Sequence, residues 1–105
     1  MHIHPLVSRA LELINASLFE VDGISQIANQ LFVSESYLHR LFKQEMKITP
    51  GNYIIQKRLL AAKNMLMQGK TPSMVYSECG FFDYSAFYRS FKKFFGYPPS
   101  QEGTR

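Results

Sequence analysis

The chain reads as an all-α protein: two helix-turn-helix lobes joined by a long linker helix, about seven helices in all. Three observations predict this. Apolar residues recur at helical spacing, and no stretch alternates as a half-buried strand would. Capping and breaking residues stand where that spacing starts and stops. A shift of 49 residues lays one half of the chain over the other. With 105 residues, 46% of them apolar and 19% charged, the expectation is one globular domain over residues 1–105.

The elements follow in order. Pro5 opens a first helix, with Leu6, Ala10, Leu13, Ile14 and Leu18 at helical spacing to about Phe19. Asp22-Gly23 breaks it, with Asp22 placed as the cap of a second helix. Ile24, Ile27, Ala28 and Leu31 form that helix's apolar stripe. Phe32-Val33-Ser34 is a tight connection, and Ser34 caps a third helix to about residue 45, with Leu38, Leu41 and Phe42 inward. Thr49-Pro50 pairs a capping hydroxyl with proline at the first helical position. The linker helix from there to about Gln68 carries Ile55, Leu59, Ala62 and Leu66, and Gly69 stops it. Thr71-Pro72 starts a short helix with Val75, Tyr76 and Cys79, and Gly80-Phe81-Phe82 turns the chain. Asp83 caps a last long helix with Phe87, Phe91 and Phe94 inward, Gly96 ends it, and Pro98-Pro99 starts a final short turn before a fraying terminus.

The repeat sharpens the reading. Ser36-Tyr37-Leu38-His39-Arg40-Leu41-Phe42-Lys43 lies over Ser85-Ala86-Phe87-Tyr88-Arg89-Ser90-Phe91-Lys92. Ser34 coincides with Asp83, Phe32 with Phe81, and Pro50 with Pro99. Each half is a short helix, a turn and a longer helix, with the first motif at about 24–45, the linker at about 50–68 and the second motif at about 72–95. The apolar positions of the third helix leave Ser36, His39, Arg40 and Lys43 on one face, and the last helix leaves Ser85, Tyr88, Arg89 and Lys92 at the same spacing. A stripe of serine, arginine and lysine without an acid suits a major groove, where arginine pairs bidentately with guanine and lysine reaches phosphate. For one helix, a plainly solvated face explains such a stripe as well; two copies in matching frames favour DNA.

Charge points the same way. Residues 1–35 carry a net −3 and residues 36–105 a net +7, so the basic excess sits with the repeat; this suggests a polyanion partner, although a solvated basic surface explains the charge alone as well. The linker, at about 28 Å, compares with about 34 Å between successive major-groove segments on one DNA face. One chain could thus hold two reading heads, and the isolated domain is expected to be a monomer. No apolar run approaches the length of a membrane span, residues 1–5 lack the features of a signal peptide, and the single Cys79 excludes an internal disulfide. The expectation is a soluble intracellular domain with no membrane partner.

These residues resemble a known family. Leu31-Phe32-Val33-Ser34-Glu35-Ser36-Tyr37-Leu38-His39-Arg40-Leu41-Phe42-Lys43 resembles the first helix-turn-helix of the AraC/XylS family of bacterial transcription regulators. Arg58-Leu59 with Ala62, Met65 and Leu66 is similar to its linker helix. Gly80-Phe81, Asp83-Tyr84-Ser85, Phe87, Arg89, Phe91-Lys92-Lys93, Gly96 and Pro98-Pro99-Ser100 resemble its second motif. The likeness covers residues 6–101. It implies homeodomain-like lobes that each insert one helix into adjacent major grooves of a double-stranded operator, in a cytoplasmic regulator such as an activator, with RNA polymerase as a further partner. It maps base contact onto Ser36, His39, Arg40, Ser85, Tyr88 and Arg89, with Glu35 and Tyr84 as additional readers. The family's domain usually follows a sensing domain, so the chain is expected to be an excised fragment or a stand-alone member.

Three departures from the family pattern carry expectations of their own. Tyr76 stands where the family has a small residue, as Ala28 does in the first motif, and should alter helix packing in the second. Lys47 matches Gly96, and a left-handed lysine is strained by about 1 kcal/mol, so the chain is expected to turn differently there. Gln101-Glu102-Gly103 replaces the usual aromatic-basic ending, so the C-terminal helix should be short or absent.

Other residues take plainer readings. His39 lacks a partner ligand within helical reach, and His2 and His4 read as tail. Cys79 on an apolar stripe reads as a buried, inert thiol. Phenylalanines 87, 91 and 94 read as core rather than base-stacking platforms, and Arg58 as structural. An enzyme would need a nucleophile with its base, paired carboxylates, a metal cluster or a phosphate loop; none is legible, and no cofactor is implied. The competing class is a helical protein-interaction module without DNA readout.

Overall fold

A computed structural model describes residues 2–102. Among them no strand forms. The order is α1 (Pro5–Ala16), α2 (Ile24–Gln30), α3 (Glu35–Met46), α4 (Pro50–Met67), α5 (Pro72–Glu78), α6 (Tyr84–Phe95) and a 3-10 turn, Pro99–Gln101. The expected all-α class and the count of about seven helical elements both hold. No helix among the described residues is long and apolar enough to cross a membrane. The chain divides into two compact units, Met1–Ile54 and Ile55–Arg105.

The first unit closes on a mainly aliphatic core of Val7, Ala10, Ile14, Val21, Ile27, Ala28, Leu38 and Ile54 around one buried ring, Phe42. Leu6 and Leu13, expected in the stripe of α1, flank this core, and Val7 takes the central place. α1 stops at Ala16, short of Phe19, because the N–H groups of Glu20 and Val21 turn back onto the Ser17 carbonyl and bring Val21 into the core. His4 is not tail. Its Nδ1 accepts the Leu6 N–H at 3.0 Å and caps α1, while its own N–H donates to Glu45 Oε1 on α3 at 2.7 Å. Asp22 is not the cap of α2 either. Gly23 holds that place, and Gln26 reaches back past it to accept the Asp22 N–H at 3.1 Å.

The second unit buries Leu59, Ala62, Leu66, Val75, Cys79, Phe87 and Phe91. Its centre is aromatic: Phe81 meets Phe87 at 5.1 Å, Phe87 meets Phe91 at 5.7 Å, and Phe91 meets Phe95 at 4.5 Å. Phe95, not Phe94, is the third inward phenylalanine; Phe94 is exposed. The chain beyond Gly96 folds back on the Phe95 side, where Tyr97 meets both Phe91 and Phe95, and Lys63 Nζ lies over the Phe95 ring at 5.0 Å. The terminal helix is a single 3-10 turn, short as expected, after which the Glu102 carboxylate accepts a hydrogen bond from the Tyr97 hydroxyl. The fraying expected at the end falls on residues 103–105, outside the described residues.

α4 contributes to both cores. Ile54 is buried in the first unit, whereas Leu59, Ala62 and Leu66 are buried in the second. Ile55, assigned from the sequence to one continuous stripe, is exposed. A helix that serves two cores has no single stripe, and a one-period reading misassigns residues at the change.

The repeat extends beyond the two-helix motif. Val7, Ala10 and Ile14 of α1 have the same spacing as Leu59, Ala62 and Leu66 of α4, so each unit is a three-helix arrangement. Arg58 Nη1 donates to the Gly80 carbonyl at 3.0 Å, bracing the turn of the second motif as its structural reading expected.

Candidate nucleic-acid interface

Both motifs turn by the same hydrogen-bond pattern. After α2, the Phe32 N–H bonds the Asn29 carbonyl and the Val33 N–H bonds the Ala28 carbonyl. After α5, Gly80 bonds Ser77 and Phe81 bonds Tyr76 in the same way. Each is a Schellman motif with its left-handed residue one place past the cap. That residue is Phe32 at φ 59° in the first motif and Gly80 at φ 84° in the second. The true partner of Phe32 is therefore Gly80, not Phe81, and Phe81 corresponds to Val33. The second turn is one residue longer, and the extra residue is Phe82. Phe32 and Phe82 are 94% and 97% exposed, whereas Phe81 packs on Phe87.

Side-chain caps then start the two long helices. Ser34 Oγ accepts the Tyr37 N–H at 3.1 Å, and Asp83 Oδ1 accepts the Ala86 N–H at 2.7 Å. Both helices end on a left-handed residue, Lys47 at φ 63° and Gly96 at φ 89°, whose N–H reaches the carbonyl of Lys43 and Lys92 respectively. The different turn expected at Lys47 does not occur. Closing the helix by the same hydrogen bond outweighs the strain of a left-handed lysine.

With the caps in place, Leu38 and Phe42 of α3 point inward, and Glu35, Ser36, His39, Arg40 and Lys43 are exposed. Glu35, Ser36 and His39 line an open surface concavity near the start of the helix. On α6, Phe87 and Phe91 point inward, and Tyr84, Ser85, Arg89 and Lys92 are exposed, while Tyr88 is half-buried. Within each unit the predicted residues share one helix face.

Three aromatic contacts shape these faces; the sequence reading expected Tyr76 to alter packing but named none of the partners. The Arg40 guanidinium carbon lies 5.7 Å from the centroid of the Tyr37 ring. The i, i+3 spacing of a tyrosine and an arginine was the available signal. In the second unit, Tyr76 meets Tyr84 edge-on at 5.7 Å, and Tyr84 meets Tyr88 at 6.3 Å. Tyr76 therefore does change the packing, by engaging the first residue of α6. In the first unit the corresponding residues, Ala28 and Glu35, carry no ring.

Cys79 belongs to the core of the second unit. Its Sγ lies 3.6 Å from Met65 Sδ, and burial pushes the thiol up to about 11. A thiol so suppressed is a poor nucleophile near neutral pH.

Residues 27–105 match the family described as a helix-turn-helix domain. The transcriptional regulator ArgR of Pseudomonas aeruginosa is 33% identical over 100 residues, which is 94% of this chain and 30% of that protein. The C-terminal domain of AraT, a response regulator from Geobacillus stearothermophilus, superposes with a TM-score of 0.93 at 28% identity, over 100% of this chain and 89% of that one. A transcriptional regulator from Chromobacterium violaceum, of the proteins containing an AraC-type DNA-binding domain, superposes with a TM-score of 0.84 at 30% identity, over 94% and 89%. The chain spans about a third of the length of the curated relatives it matches.

Proposed function

Because this chain belongs to the AraC-type helix-turn-helix family, we propose that it serves transcription regulation by binding duplex DNA sequence-specifically, with α3 and α6 as two recognition helices. The observation that carries this reading is the doubled stripe: serine, arginine and lysine exposed at the same spacing on two helices that follow turns closed by the same hydrogen-bond pattern. Arg40 and Arg89 read guanine edges, each with two donors to O6 and N7. Ser36, His39, Ser85 and Tyr88 contact neighbouring base edges, with Glu35 and Tyr84 at the helix starts. Lys43 and Lys92 hold phosphates and so fix the register of each helix. Residues 24–45, 50–68 and 72–95 act together as one reading domain on two half-sites about one helical turn apart.

Selection of bound duplexes from a random pool tests this. The expected product is two half-sites, with affinity falling as salt rises by a log–log slope of about −0.9 per phosphate contacted. Arg40→Ala should cost about 1–3 kcal/mol and relax preference in one half-site, and Arg89→Ala should do so in the other. A flat salt response, or capture of protein and no DNA, overturns the reading. Uniform weakening with unchanged preference reduces both arginines to phosphate contacts.

A further inference from the structure

We infer that Tyr37 is a positioning residue for Arg40, holding the guanidinium in a reading pose before DNA arrives and making the first motif the more selective of the two. The inference rests on the DNA-binding reading and adds a residue that the polar stripe leaves out. Its geometric basis is the cation–π contact that sets the Arg40 guanidinium carbon 5.7 Å from the centroid of the Tyr37 ring.

Helix spacing explains why the ring holds this side chain. Residues three and four places from Arg40 on α3 are Tyr37, Ser36, Lys43 and Gln44. None is an acid, and among the described residues no carboxylate pairs with Arg40. Tyr37 alone offers a surface that attracts a cation. A guanidinium held near a ring by cation–π attraction forms no hydrogen bond with it, so its N–H donors stay available. Those donors are the ones that would pair with guanine O6 and N7. The contact thus restricts the arginine's rotamers without spending its hydrogen bonds, which reduces the ordering cost of binding.

The second motif lacks this device. The residue three places before Arg89 is Ala86, and its other helix neighbours are Ser85, Lys92 and Lys93. Tyr88 and Tyr84, the nearest tyrosines in sequence, meet each other at a tilt. Arg89 must order itself on binding. The two heads therefore carry the same arginine in different states of readiness.

A double-mutant cycle on a selected duplex tests the inference. Affinity and half-site preference are measured at fixed salt for the wild type, Tyr37→Ala, Arg40→Ala and the double variant, with Tyr37→Phe and Tyr37→Leu alongside. Thermal melting by circular dichroism monitors the fold. Tyr37→Ala should weaken binding by about two- to fivefold, the range expected of an exposed cation–π contact. The loss should fall in the half-site that Arg40→Ala relaxes and should vanish when Arg40 is already absent. Tyr37→Phe keeps the ring face and should bind as the wild type does. Tyr37→Leu preserves the apolar bulk without the ring and should behave as Tyr37→Ala, which separates positioning from packing should the alanine variant melt early. An equal loss in both Arg40 backgrounds, or wild-type binding by Tyr37→Leu, overturns the inference while leaving DNA binding intact. Failure of the wild type to select any duplex would instead remove the reading beneath it.

Discussion

The two units build one motif from different materials. The first has a mainly aliphatic core with Phe42 as its one buried ring, and places Phe32 and Lys47 at its two left-handed positions. The second has an aromatic core and places Gly80 and Gly96 at the same two points. Left-handed backbone is strained by roughly 1–2 kcal/mol for a residue with a Cβ and is open to glycine. Yet the hydrogen bonds that end the helices are the same in both units. The turn is therefore imposed by helix termination and by the capping hydrogen bonds at Ser34 and Asp83, and the residue at the turn decides only how much strain the fold carries. The first unit holds unused stability at two exposed positions. The second has already relieved that strain and depends on its rings.

The largest break in this comparison should come from the rings. Phe91→Ala removes a fully buried side chain that touches Phe87, Phe95 and Tyr97. It should destabilise the second unit by about 3–5 kcal/mol in urea denaturation. A loss under about 1 kcal/mol would mean that the aromatic chain is not what holds that unit.

Next come the turns, exchanged between units. Gly80→Ala forces a Cβ into left-handed backbone and should cost about 1–2 kcal/mol. Phe32→Gly should do the reverse, gaining about 1 kcal/mol, since a phenylalanine 94% exposed has little packing to lose. Lys47→Gly should gain a similar amount. If both substitutions in the first unit lower the melting temperature, the strain assigned to them is absent.

The smallest effect concerns Cys79. Its thiol, raised from 9.0 to about 11 in the folded chain, resists ionisation that the unfolded chain permits. Between these values the unfolded state holds fewer protons, so stability falls as pH rises. The contribution is fully present below pH 9 and declines towards 11. Comparing alkaline melts of the wild type and Cys79→Ala should show a steeper decline in the wild type over that window, and parallel curves would count against the shift.

Much of this architecture was legible. Helix starts at Ser34, Thr49 and Asp83 follow from capping chemistry that is local in sequence, and Thr49 Oγ1 accepts the Asn52 N–H as such a cap should. The buried sets 27, 28, 38 and 42 and 59, 62, 66, 87 and 91 follow from helical period. What escaped depends on neighbours distant in sequence or on the residue count of a turn. Phe95 replaced Phe94 because Tyr97 folds back on that side, and Ile54 replaced Ile55 because α4 changes cores. His4 became a cap because Glu45 holds its backbone. The pairing of Phe32 with Phe81 failed because matched aromatics concealed a one-residue insertion at Phe82. The polar stripes were legible because they are what helical period leaves over. The Tyr37–Arg40 contact was overlooked because a tyrosine beside the apolar stripe reads first as packing.

The connectivity of the two units also bears on how the chain comes to be folded. Each unit is a contiguous stretch, and the boundary lies inside α4 rather than in a crossing loop. Every residue in the first core, through Ile54, precedes every residue in the second. At synthesis rates of about 5–20 residues per second, the first core is complete seconds before the second has its sequence. Its helices can pack while Arg58 and the phenylalanines are still being added. Contacts confined to such short spans favour rapid folding. The rest of α4 then emerges as an extension of a helix whose first turn is already anchored, so the costly step of helix nucleation need not be repeated for it.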